Sequence, residues 1–228
     1  MTYFFIVLII CFVLFLYKLY HLSVDDQALI KKNVEIKDIF NSTLIVFLSG
    51  LFFARFFYVI FYPDEIFYSV LGFLVFPYFP GLSLTGGIIG GALTLLVYSK
   101  IKKFPTPRVF DFYAMALVFV LPLGWLLFMI FSKDFSTGAT ARLVLYILLF
   151  IGFNFFLYPK STRFQLKDGT KSLIFLIFVT LIILLTSAVN SPGLEAFRQS
   201  RENIINIIIL VVSIIFFIKQ EFFQKLSF

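Results

Sequence analysis

Cysteine, histidine and tryptophan each occur once in this chain, and charged residues fill only 14% of its 228 positions. A lone cysteine, Cys11, excludes an internal disulfide. One His with one Cys excludes an ordinary His/Cys zinc site, and neither a metal nor a cofactor is expected. Cys11 lies inside an apolar run and reads as a small hydrophobe. His21 reads as a solvated residue at a membrane edge. No repeat, low-complexity linker or charged stretch marks a second domain, so a single polytopic domain over 1–228 is expected. The shortage of charge also excludes a water-soluble protein. Hydrophobic residues make up 61% of the chain, 35 of them Phe, and no interior of this size hides that much apolar surface.

What is abundant is apolar sequence in long runs. A bilayer core needs about 20 consecutive apolar residues. Seven segments qualify, near 2–19, 39–62, 82–99, 109–131, 142–158, 172–189 and 203–219. The fold class is therefore an all-α membrane protein with seven transmembrane helices. The stretch "IFYSVLGFLVFPYF", 66–79, is apolar but short, and Pro77 interrupts it. It reads as a re-entrant or interfacial segment.

Lysine and arginine set the orientation. Lys18, Lys31, Lys32 and Lys37 follow the first span, and Lys100, Lys102, Lys103 and Arg108 follow the third. Lys160, Arg163, Lys167 and Lys171 follow the fifth, and Lys219 and Lys225 follow the seventh. Only Lys133, Arg142, Arg198 and Arg201 fall on the other side. The alternation predicts an N-terminus outside and a C-terminus in the cytoplasm. The apolar run starts at residue 3 with no basic stretch before it, which predicts a retained span rather than a cleaved signal peptide. The net charge of +7 fits loops lying on an anionic leaflet. No soluble basic domain exists to bind nucleic acid, so none is expected.

Polar residues inside the spans are few. Arg55 sits in "SGLFFARFFYVIFYP", 49–63. An arginine there either snorkels to the headgroups or aims its fork at a lipid phosphate. "GLSLTGGIIGGALTLL", 81–96, carries Gly86/Gly90 and Gly87/Gly91, two overlapping small-xxx-small pairs that suit close helix packing. Its entry, Gly81 to Gly87, reads as a turn leading into a helix, whose free N–H groups suit an anion. Asp111 opens the fourth span beside Arg108, where the helix dipole favours a carboxylate. Glu195 and Arg198 have the spacing of a helix surface pair.

These residues in this order resemble the prolipoprotein diacylglyceryl transferase family. Its G-A-R-x-x-Y-V-L-F-Y segment matches at Arg55, Tyr58, Val59, Phe61 and Tyr62. Its G-G-M-S-x-H-G-G-x-x-G-G segment matches at Gly81, Ser83, Gly86, Gly87, Gly90 and Gly91. "KIKKFPTPRVFDF" resembles its basic loop and aspartate, here Asp111, and "EAFRQ" its E-F-F-R segment, with Glu195 and Arg198. The resemblance runs over most of the chain, best from 34 to 131. It implies a bacterial inner-membrane protein that moves the diacylglyceryl group of phosphatidylglycerol onto the lipobox cysteine of a lipoprotein precursor. Its implied partners are phosphatidylglycerol, or a similar phospholipid, and lipoprotein signal peptides. Arg55, Tyr58, Ser83, Thr85, Gly86 and Gly87 are the implied phosphate-binding set. Gly90, Gly91, Asp111 and Glu195 are the structural set.

The departures fall on the chemistry. The family's H-G-G is Thr85-Gly86-Gly87, and threonine is no base near neutral pH. Counted without a gap from Asp111, the family's G-R-x-G-N-F-x-N falls on Gly124 to Phe131. Trp125 then replaces its arginine, and Phe128 and Phe131 replace its asparagines. Counted back from Glu195, another family arginine falls on Ser191, and the loop 132–141 is too short for the family's periplasmic head domain. The sequence thus predicts a divergent transferase-like protein that binds an anionic glycerophospholipid with reduced or lost catalysis. An active enzyme would need another base and a second cation near Arg55, for which Tyr3, Tyr58 and Arg198 are the candidates. A third reading, an unrelated transporter or structural membrane protein, would call for matching broken helices in two halves, and only one Gly-rich break is present. Reporter fusions test the orientation: a fusion after Arg163 should report cytoplasm and one after Lys133 the outside, and the reverse pattern would refute it.

Overall fold

The computed structural model describes residues 2–24, 26–68, 72–73, 81–157, 166–190, 193, 197 and 199–221. Among these residues there is no strand. The helices are α1 (Thr2–Ser23), a short α2 (Gln27–Lys31), α3 (Ile36–Phe61), α4 (Leu84–Ile101), α5 (Thr106–Ser132), α6 (Thr137–Gly152), α7 (Thr170–Asn190) and α8 (Arg201–Glu221). All except α2 are long and apolar enough to cross a membrane, and a π-helical turn, Phe153–Leu157, lengthens α6 to a full span. The seven expected spans are the seven observed. Of the expected re-entrant segment, the structure describes a 3₁₀ turn, Glu65–Tyr68, and residues 72–73; the rest lies outside the described residues.

Local signals fix the helix ends. Asp26 caps α2 by accepting from the N–H groups of Ala28 and Leu29, Ser83 caps α4 through Gly86, and Ser136 caps α6 through Ala139. Two basic loops close their helices alike. After α2, Asn33 turns left-handed (φ 50°), and the N–H of Val34 reaches the carbonyl of Leu29. After α4, Lys103 does the same (φ 57°), and the N–H of Phe104 reaches the carbonyl of Ser99. This double closure satisfies carbonyls that would otherwise face the bilayer edge unpaired.

The chain divides into two compact units. The first holds Met1–Ile9 and Tyr20–Thr106; the second holds Ile10–Leu19 and Pro107–Phe228. The first is organised by α3 packing along α4. Here the four glycines of α4 do two different things. A Cβ at Gly90 would run into Phe53 Cβ, and one at Gly86 would stand 2.6 Å from Phe57 Cβ and 2.8 Å from the carbonyl oxygen of Phe53. Gly86 and Gly90 are therefore the groove that receives the two phenylalanines. A Cβ at Gly87 would meet Ala54 Cβ at 3.5 Å, and one at Gly91 would meet Val46 Cγ1 at 3.5 Å, which is ordinary contact. Ser49 and Thr94 share a hydrogen bond across the same interface.

In the second unit α7 packs against both α6 and α8. The Asn190 side chain at the end of α7 occupies the space beside Gly138 at the start of α6, so these two helices run antiparallel. Gln220, at the end of α8, donates to the carbonyl of Asp168 ahead of α7. Lys167 Nζ donates to the carbonyl of Gln220 at 2.6 Å.

The glycine geometry separates the two pairs experimentally. Gly90→Ala should destabilise the detergent-purified protein by about 1–3 kcal/mol, the usual cost of overpacking a tight contact. Gly91→Ala should be close to neutral. Thermal unfolding of the two variants measures this, and equal losses would contradict the assignment of the groove to Gly86 and Gly90.

Candidate functional site

Arg55 and Tyr58 lie three residues apart on α3, hence on one helix face. Arg55 is only 2% exposed. Its side chain does not reach outward to headgroups, as snorkelling would require. Nε donates to the carbonyl of Phe73 at 3.1 Å, Nη1 to that of Gly81 at 2.9 Å and Nη2 to that of Gly72 at 2.7 Å. The guanidinium also lies 4.7 Å from the Phe67 ring centroid and 5.9 Å from that of Tyr58. Three of its five N–H groups are thus committed to main-chain oxygens, and no carboxylate among the described residues pairs with it.

The glycine entry is built against this cation. The Tyr58 ring fills the space where a side chain at 81 would go, so only glycine brings that carbonyl to Arg55. The N–H of Ser83 donates to the carbonyl of Ala54 at 3.0 Å, and Ser83 Oγ accepts from the N–H of Gly86 at 3.2 Å. Ser83, Thr85 and Gly86 are buried in the same region. The structure therefore brings Arg55, Tyr58, Gly81, Ser83 and Gly86 into one connected set. Gly87 and Gly91 face the small side of α3 instead.

Asp111 plays a different part from the one its position suggests. It does not pair with Arg108, and it serves the dipole of another helix rather than its own. Its Oδ2 accepts from the N–H of Gly169 and its Oδ1 from the N–H of Ser172, both at 2.8 Å. A side chain of α5 thereby caps α7, satisfying donors that α7 cannot satisfy itself. Arg108 pairs with Asp168 at 3.0 Å. Lys171, counted in the sequence as a loop charge, is buried in the first turn of α7, with Nζ 3.8 Å from Met115 Sδ. The turn residue Gly169 directly before "TKSLIF" was the signal that the helix starts ahead of this lysine.

At the position expected to carry the family's signature arginine, the Trp125 indole donates to the carbonyl of Ala139 at 2.9 Å. Phe128 and Phe131 are exposed on the apolar surface. The side chain of Tyr3, and Glu195 and Arg198 altogether, lie outside the described residues.

Seven apolar spans, with a carbonyl-bound cation at a glycine-rich helix entry in the first unit, define a polytopic membrane protein. Its family is shown by comparison: a model of prolipoprotein diacylglyceryl transferase matches residues 2–126, and the chain belongs to that family. A search of curated proteins gives no match. The matched region holds both halves of the Arg55 set and stops one residue beyond Trp125.

Proposed function

We propose that this protein holds an anionic glycerophospholipid, phosphatidylglycerol or one of like charge, at the Arg55 set, and that its capacity for diacylglyceryl transfer is reduced or lost. It would do so in a bacterial inner membrane, with the N-terminus outside. The observation that carries the reading is the buried guanidinium, which no carboxylate among the described residues pairs. A cation inside a span is costly, and carbonyl dipoles and ring faces offset only part of that cost. Among the described residues, two N–H groups of Arg55 have no acceptor. A phosphate oxygen supplies both the charge and the acceptor that they lack.

The transfer itself asks for more. The acceptor must become a thiolate, since the thiol is a poor nucleophile. The leaving glycerol phosphate needs donors in place where its charge develops. Thr85 supplies no base, and Trp125, Phe128 and Phe131 add no cation. Loss of one preorganised donor typically costs about 10²–10³ in rate, and losses among groups that act together are not additive.

Two experiments test the proposal. Native mass spectrometry of the purified protein should find retained phosphatidylglycerol or a similar lipid. Arg55→Ala should lose it, at a cost of about 1.5–3 kcal/mol for a charge-assisted contact; unchanged retention would assign Arg55 to holding carbonyls alone. Incubation of the protein with phosphatidylglycerol and a labelled lipobox peptide should give no gel shift. Robust modification that disappears in Arg55→Ala or Tyr58→Phe would overturn the second half of the reading.

A further inference from the structure

Arg142 stands in the second turn of α6, half-buried, and the Arg55 reading makes no use of it. Its guanidinium lies over the Trp125 ring, 4.8 Å from the centroid. Nε and Nη2 donate to Thr186 Oγ1 at 3.0 and 2.7 Å. The Thr186 hydroxyl gives its own proton to the carbonyl of Ile182 at 2.8 Å, so toward Arg142 it acts as acceptor. Both partners of the guanidinium are neutral. Among the described residues, the Nη1 group and one Nη2 proton have no acceptor and no carboxylate pairs with this arginine.

A second observation at the same place is independent of the first. Tyr146 follows Arg142 by four residues and so lies on the same face. It is 1% exposed, and its hydroxyl has no hydrogen-bond partner among the described residues. Its ring stands edge-on to Trp125, with centroids 6.2 Å apart. Side chains on a helix lean toward its N-terminus, which carries the Tyr146 ring over the turn that holds Arg142. A buried hydroxyl without a partner typically costs about 1–3 kcal/mol and calls for an explanation. Trp125 is held in place by its bond to Ala139 and offers its face to the cation.

We propose that Arg142, Tyr146, Thr186 and Trp125 form a binding site for a phosphate group. The ligand supplies the negative charge that Arg142 lacks and the acceptor that the Tyr146 hydroxyl lacks. A phosphodiester spreads its charge over two oxygens, which suits the arginine fork. Leu126, next to Trp125 in the chain, is exposed on the apolar surface, so the phosphate is expected to arrive on a lipid headgroup. The proposal is independent of Arg55.

Trp125 is the chain's only tryptophan, so its fluorescence reads this site without a label. Protein in phosphatidylcholine nanodiscs would be titrated with short-chain phosphatidylglycerol, with short-chain phosphatidylcholine, and with glycerol phosphate. A saturable change in Trp125 emission is expected with phosphatidylglycerol and not with phosphatidylcholine, whose own ammonium neutralises its phosphate; an equal response to both would overturn the argument from unpaired charge. Arg142→Gln should weaken it about tenfold or more, as loss of a charged hydrogen bond does. Tyr146→Phe should also weaken it while leaving the melting temperature unchanged or higher, because it removes a hydroxyl that has no partner in the free protein. Saturation by glycerol phosphate at the same concentration would overturn the lipid source and keep the phosphate site. A flat response, or equal responses in wild type and Arg142→Gln, would overturn the site. Both variants keep Arg55, so the two readings fail separately.

Discussion

A guanidinium surrounded by carbonyls and aromatic rings holds the first compact unit together. Within a bilayer, main-chain groups outside a helix have no water to bond, so irregular backbone survives only where protein satisfies it. Arg55 does this for the carbonyl of 81, ahead of α4, and also donates to those of 72 and 73 in a helical segment, all far from it in sequence. The consequences extend along the chain. Gly81 has to be glycine because Tyr58 crowds it, Ser83 begins α4 hydrogen-bonded to α3, and α4 then follows α3 through the Gly86/Gly90 groove. One interaction thus couples the helix entry to the helix packing.

The same constraint appears in the second unit with the signs reversed. The first donors of α7 are satisfied by a carboxylate from α5, and the buried Lys171 lies in the same turn. Arg108 with Asp168, and Lys167 with the end of α8, tie the loop before α7 from outside. A carboxylate that caps a neighbouring helix does more than one that serves its own dipole. It fixes the axial position of α7 against α5, because its two oxygens must meet two particular N–H groups.

The sequence made some of this legible and hid the rest for physical reasons. Span positions were readable because hydropathy is a local property, and charge-poor runs of this length have few other uses. The glycine pairs announced close packing, yet spacing could not say which pair receives the phenylalanines; that depends on the rotation of α3. Arg55 was conspicuous because a charge in an apolar run is rare. Its partners were not, since backbone carbonyls carry no sequence signal. Asp111 was seen but assigned to the wrong helix, because a cap supplied from sixty residues away leaves no local pattern. Arg142 and Lys171 were counted only as basic residues for orientation, when both lie inside helices.

Family membership and chemistry are separate matters in this chain. The family match covers the part that folds around Arg55 and ends beside Trp125. That tryptophan looks at first like a plain loss of positive charge. In three dimensions a cation is present there after all: Arg142 reaches it from the next helix and stacks on the ring. A guanidinium carried on α6 has a different approach, different neighbours and a phenol beside it. It supplies charge without restoring the geometry of an arginine carried on α5. For the phosphate site proposed at Arg142, charge counts for more than direction, because binding tolerates a shifted donor better than a transition state does.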